Sequence, residues 1–289
     1  MILAALALAL DPLPGPTVAE IMAAAPEGAW EAPPADELLY LDVPAGRMVV
    51  RLVPEMAPAH AAQLRVLAAE GYYDGLGFYR VPIGFVAQGG DETGERDLGS
   101  AAPSLAAEFE APWDAVPGWT SLGHADGYAP AAGFTQGLPA GYDPETDTAW
   151  LAHCQGALAF GREEGRNTAS TELYVTLQPQ RYLDRNLTVV GRVVWGFEHL
   201  ASLRRNAPGN FGTMAEGAPT EIVSVRMASD VPEAERVPVE VMDTTSETFR
   251  QLIGARAARP SGFFYHRPGP DGVGHVDLCQ MPVPARLAE

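Results

Sequence analysis

At 289 residues, 47% of them hydrophobic and 19% charged, the chain can bury a large core in one domain or two, and wholesale disorder is excluded. A formal charge of -18 argues against partners recognised through phosphate, so neither nucleic acid nor an anionic membrane surface is an expected partner. All 19 basic residues are arginine, which removes the P-loop lysine, the pyridoxal Schiff base, the kinase strand lysine and the Ser-Lys hydrolase pair.

Residues 2–10, ILAALALAL, are too few to span a bilayer but fit the apolar region of a signal peptide, although no basic residue precedes them. They support export to the periplasm, with no stable membrane insertion after processing; if they are only a hydrophobic tail, the protein is cytoplasmic. Residues 1–36 form this start and a Pro- and Ala-rich lead-in with a short helix around Val18–Ala24. Alternation at Leu39, Leu41 and Val43, then at Met48, Val50 and Leu52, predicts a hairpin turning at Pro44-Ala45-Gly46. Pro58 opens a helix whose Ala61, Leu64, Leu67 and Ala68 recur at helical spacing, and Gly71 stands at its C-terminal cap.

Strands are predicted at 77–81 and 85–88, with Gly89-Gly90 permitting a sharp turn or bulge. Residues 112–151 are dense in Gly, Pro, Trp and Tyr without a sustained period and read as a long loop insertion. Strands resume at 157–160, 172–176 and 188–194, a second helix follows at 197–205, and 222–227 closes the pattern. Short strands with two helices in this order predict a mainly β domain over 37–227, a barrel or closed sheet capped by helices. Residues 228–289 form a C-terminal extension, helical around Ser246–Ala258 and otherwise irregular.

Cys154 and Cys279 are the only cysteines, either a long-range disulfide tying the tail to the core or two buried thiols. His153 and Cys154 are adjacent and point to opposite faces of an extended chain, the wrong geometry for a base and its nucleophile. The histidines show no ligand spacing, and Asp143, Glu145 and Asp147 alternate like a calcium loop but lack its Gly and terminal Glu. No metal and no cofactor are expected. Asn186-Leu187-Thr188 fits the glycosylation pattern by chance.

The segment FYRVPIGFVAQGGD, residues 78–91, resembles the cyclophilin signature. Two further blocks, GALAFGREEGRNTASTELYVT from Gly156 and RYLDRNLTVVGRVVWG from Arg181, resemble the family's later conserved regions, in the right order. The resemblance implies a closed eight-stranded antiparallel barrel capped by two helices, with an exterior groove for proline-containing peptides and for unfolded or folding proteins. It also implies X-Pro isomerase activity. That reaction needs neither triad nor metal: a donor aimed at the proline nitrogen stabilises its lone pair as the amide twists out of conjugation.

By position, the resemblance makes Arg80 the catalytic residue, Phe85 the pocket floor and Gln88 a hydrogen-bonding partner of the substrate backbone. Val86 takes an apolar pocket position. Gly161 and Arg162 offer main-chain pairing, and Tyr182 and Leu183 form the rim. The departures are Thr171 where a glutamine is usual, Leu173 where a pocket phenylalanine is usual, Leu187 where a histidine is usual, and Tyr79 before the arginine. They keep the pocket apolar at the expense of aromatic and polar contacts, so weak or narrow activity is expected. The alternative is a cyclophilin-fold peptide-binding module or chaperone with little turnover.

Overall fold

The computed structural model describes residues 15–214, 217–269 and 274–288, so the apolar run at 2–10 lies outside the described residues. Helix α1 (Val18–Ala23) and strand β1 (Trp30–Glu31) lead into the hairpin β2 (Leu38–Val43) and β3 (Gly46–Leu52), then helix α2 (Pro58–Ala69), β4 (Gly77–Arg80) and β5 (Val86–Gly90). The middle of the chain forms β6 (Ala111–Pro112), β7 (Thr120–Ser121), β8 (Ala131–Thr135), β9 (Leu138–Asp143) and β10 (Thr148–Leu151). Then come β11 (Ala157–Phe160), β12 (Leu173–Thr176), β13 (Val189–Trp195), β14 (Thr220–Glu221) and β15 (Ser224–Met227). The C-terminal part holds β16 (Val239–Met242), helix α3 (Glu247–Ala258) and β17 (Ala285–Leu287).

Nine strands make the principal sheet, in the order β14-β4-β5-β12-β11-β13-β3-β2-β15. Its edge strands β14 and β15 are consecutive in the chain, so the sheet curls round until its two ends are joined by Ile222 and Val223. The Ile222 amide donates to the Leu76 carbonyl beside β4, and the Val223 amide to Asp42 of β2. The expected count of eight strands is therefore corrected to nine, because the closing strand breaks at this pair as it passes from one neighbour to the other. Alternate residues point inward, among them Leu39, Leu41, Met48, Val50, Phe78, Leu158, Phe160, Leu173, Val175 and Val225, and pack with Leu64 and Leu67 of α2.

Helix α2 shows how local chemistry sets its ends. Pro58 at the first turn lacks the donor that would go unused there, and the Glu108 carboxylate accepts from the amides of Ala59 and His60. At the other end Gly71 is left-handed (φ 66°), and the Tyr72 amide returns to the Leu67 carbonyl. The second expected helix is a single 3₁₀ stretch, Phe197–Ser202. It stops because Leu203 turns extended and the Asn206 amide pairs with the Val81 carbonyl, so tertiary pairing replaces the next helical turn.

The stretch read as a loop insertion is instead a five-stranded antiparallel sheet, β6-β10-β9-β8-β7. Its alternation is hidden by glycines that make room for tryptophans: a Cβ on Gly133 would lie 2.5 Å from Trp119, and one on Gly141 2.5 Å from Trp150. This sheet covers part of the barrel's outer face, where Leu138, Ala140 and Leu151 join a cluster with Val86, Ala159, Tyr174 and Val189. A separate core unites the two chain ends with the insertion: Ile21, Phe134, Met242, Phe249, Leu252, Leu278 and Met281. Strand β1 of the lead-in pairs with β16, which pairs with β17, so the irregular part of the extension is smaller than expected. Cys154 and Cys279 are joined in a disulfide across 125 residues, which decides between the two readings of the cysteines.

Candidate active site

Arg80 is the last residue of β4 and stands opposite Gln88 of β5, so the two side chains share a face. Arg80 Nη1 donates to Gln88 Oε1 (3.0 Å), and Nε donates to the carbonyl of Phe211 (2.7 Å). The guanidinium also lies over the Phe85 ring, 5.2 Å from its centroid. Beyond Gln88 the chain of bonds continues, because Gln88 Nε2 donates to the Tyr79 hydroxyl (2.9 Å), which donates to Glu172 Oε2. Burial holds the Glu172 carboxyl above its ordinary value, and burial together with that carboxylate pushes the Tyr79 phenol far above its own. Gln88 is thus fixed between a cation and a polar pair, with its oxygen committed to Arg80.

On the same outer face, Tyr174 of β12 is directly opposite Gln88, and Thr176 opposite Val86. The Tyr174 hydroxyl meets His153 Nε2 at 2.8 Å, and the other ring nitrogen of His153 meets Asp184 Oδ1 at 3.0 Å. Arg181 Nε donates to Asp184 Oδ2 (2.6 Å), and Nη1 donates to Asp126 of the insertion (2.6 Å). Burial alone would raise the Asp184 carboxyl, but His153 and Arg181 hold it below its ordinary value. This buried chain fixes the Tyr174 ring against the apolar outer cluster and ties the insertion to the wall of the site.

A cavity of about 440 Å³ opens beside Gln88 and Tyr79, lined by Asp91, Gly161, Arg162, Glu163, Thr171 and Glu172 among others. A larger one, about 570 Å³, lies in the extension between α3 and Thr17-Val18 and shares no residue with this site.

The family model described as cyclophilin type peptidyl-prolyl cis-trans isomerase/CLD matches residues 38–228. The chain belongs to the cyclophilin family. The cyclophilin is 27% identical to a probable peptidyl-prolyl cis-trans isomerase of Brucella suis over 196 residues, 68% of this chain and 84% of that one. It is 31% identical to peptidyl-prolyl cis-trans isomerase B of Bacillus subtilis over 147 residues, 51% of this chain and 76% of the relative. The crystal structure of a cyclophilin from Hirschia baltica superposes with a TM-score of 0.71 at 25% identity, covering 90% of this chain and 94% of its own. That likeness covers more of the chain than residues 38–228, so it takes in part of the lead-in or of the extension as well. Family and relatives make X-Pro isomerisation the function of this cyclophilin.

Of the residues singled out in the sequence, Arg80, Phe85, Val86 and Gln88 come together on one face. Gly161 abuts them: a Cβ there would meet Glu172 at 3.1 Å and Gln88 at 3.8 Å. Thr171 lines the cavity, and its carbonyl accepts from the Tyr73 hydroxyl (2.8 Å). Arg162 is turned onto the carbonyls of Asn186, Glu163 and Glu164, and lies 5.5 Å over Phe109. Tyr182 and Leu183 sit on a turn tied to the site by Gln180, whose Nε2 donates to the Gly84 carbonyl beside Phe85 (3.1 Å). Tyr182 is 60% exposed on this rim. Leu187 packs at the edge of the outer cluster.

Leu173 does not join them. It lies in the barrel interior with Leu158 and Val175, and Tyr174 holds the outward position beside Gln88. The expectation for this block is displaced by one residue, since neighbours on a strand face opposite sides. Glu172 and Tyr174, the residues that take the outward positions, were missed because the phase of 172–176 shows only in its pairing with β5. Phe211 and Asn206, from a loop without a period, carried no signal either.

Proposed function

We propose that this cyclophilin accelerates rotation about X-Pro bonds in proline-containing segments of unfolded or folding proteins, with Arg80 as the catalytic residue. One observation carries the reading: the Arg80 guanidinium is anchored at Nε and Nη1 over Phe85, while Nη2 makes no hydrogen bond among the described residues. Arginine stays charged at any physiological pH, so that donor is always available to the imide nitrogen. The uncatalysed barrier of about 18–20 kcal/mol arises from amide conjugation, and a hydrogen bond to the nitrogen lone pair favours the twisted state over the planar one. Phe85, Val86 and Tyr174 supply an apolar wall for the proline ring, which strengthens that bond by excluding water.

Gln88, Gly161, Arg162 and Thr171 border the path of the residues preceding proline, and Tyr182, Leu183 and Leu187 border the other side. The Cys154–Cys279 disulfide supports export to an oxidising compartment, because such bonds rarely persist in a reducing cytosol.

A protease-coupled assay on an Ala-Pro peptide tests the reading. The wild type is expected to exceed the uncatalysed rate, and Arg80→Ala to lower kcat/KM by roughly 10²- to 10³-fold. A wild-type rate equal to background, or an Arg80→Ala variant as fast as wild type, sinks it.

A further inference from the structure

Strand β4 has an irregular companion along the residues that carry Arg80. The Met214 amide donates to the Tyr79 carbonyl (3.0 Å), the Phe211 carbonyl accepts from Arg80 Nε (2.7 Å), and the Asn206 amide donates to the Val81 carbonyl (3.0 Å). Three successive residues, the last two of β4 and Val81 just past it, are thus met by one loop.

One buried side chain ties the loop to the strand. Asn206 is 3% exposed, and both polar atoms of its side chain are engaged. Its Oδ1 accepts from the Val81 amide (2.7 Å), and its Nδ2 donates to the carbonyls of Asn210 (3.2 Å) and Gly212 (2.6 Å). Val81 follows Arg80, and Gly212 follows Phe211. The Asn206 amide therefore brackets the Arg80–Phe211 bond, touching the neighbour of each partner. Asn210 supports the same turn, accepting from the Gly212 amide (2.9 Å) and donating to the Thr213 carbonyl (3.1 Å).

We propose that Asn206 is a positioning residue for Arg80: it sets the loop so that the Phe211 carbonyl holds Nε and turns the guanidinium toward the proline nitrogen. Held by Gln88 alone at Nη1, the guanidinium is free to swing about that one contact. The second anchor, at Nε, fixes its plane as well as its position, and a directed hydrogen bond depends on both. Phe211, 61% exposed, contributes its backbone to this anchor while its ring faces solvent.

The inference rests on Arg80 being the catalytic donor, and two measurements separate it from that reading. In ¹H–¹⁵N spectra of the wild type, the Arg80 Nε proton is expected to be shifted and slow to exchange relative to exposed arginines. In an Asn206→Asp variant, which keeps the acceptor for Val81 but sets an oxygen against the Asn210 and Gly212 carbonyls, that protection should be lost. Its kcat should fall by roughly tenfold to 100-fold, with KM within about twofold, because misorientation of a catalytic group acts on the transition state. A fast-exchanging Arg80 Nε proton in the wild type overturns the inference whether or not the variant folds, as does a folded Asn206→Asp variant with unchanged kcat. An Arg80→Ala variant as active as wild type would remove the reading beneath it instead.

Discussion

The bonded chain that starts at Arg80 ends on Glu172, a carboxylate whose Oε1 is buried and without a hydrogen bond among the described residues. Burial is the largest influence on it and raises its carboxyl above 4.5, against the bonds from Tyr79 and Gln88. A carboxyl whose folded value is raised binds its proton more tightly in the folded state than in the unfolded one. Its stabilising contribution is complete below 4.5 and is lost as pH rises through the folded value. Glu172→Gln should therefore remove this loss of stability with rising pH over that window, while Tyr79 and Gln88 keep an oxygen to bond. Urea midpoints at closely spaced pH values between about 4 and 7 check this, the starting point being the ordinary Glu value. Equal pH slopes for variant and wild type would count against a proton-linked Glu172.

Among the elements, the inserted sheet is where side-chain packing and sequence pattern part company. Trp150 of β10 is fully buried with its ring over Gly141 of β9, where a Cβ would stand 2.5 Å away. Gly141→Ala is expected to cost about 1–3 kcal/mol, since a large ring in a close-packed layer cannot yield cheaply. Denaturant unfolding measures it, and an unchanged midpoint would mean the ring moves freely. The same packing explains what the sequence concealed. Barrel strands such as 38–43 and 157–160 announce themselves because bulky apolar residues recur at every second position, Leu39, Leu41 and Val43 in one and Leu158 and Phe160 in the other. In 131–143, glycine and proline occupy the positions where bulk would signal a strand, so the periodicity vanishes although the hydrogen bonds form. The block at 172–176 was legible as a strand, yet its phase was not fixed by its own residues. Only pairing with Ala87 and Gln88 sets Leu173 inward and Tyr174 outward. Phe211 was illegible for another reason: it acts through its carbonyl, and a backbone atom leaves no trace in residue identity.

At the scale of the whole molecule, barrel, insertion and both chain ends meet at one covalent point. Cys154 lies between β10 and β11, next to the His153 that bonds Tyr174, and Cys279 lies in the tail among residues packed on α3. Closing a loop across 125 residues restricts the unfolded chain strongly, so breaking it should cost about 2–5 kcal/mol of stability. The loss should fall first on the core of Ile21, Phe134, Phe249 and Leu278, whose members come from segments far apart in the chain. The face that carries Arg80 should be spared. Arg80, Phe85 and Gln88 hang on β4 and β5, whose inward residues Phe78 and Ala87 belong to the barrel's own core. A Cys154→Ser, Cys279→Ser double variant is thus expected to unfold at lower urea than wild type, while keeping kcat/KM on an Ala-Pro peptide within about twofold in the absence of denaturant. Adding reductant to the wild type should reproduce both results, and reductant should change neither in the variant. If activity collapsed while the unfolding midpoint stood still, the path from Cys154 through His153 to Tyr174 would be the stronger link, and the wall of the site would depend on the bond more than the second core does.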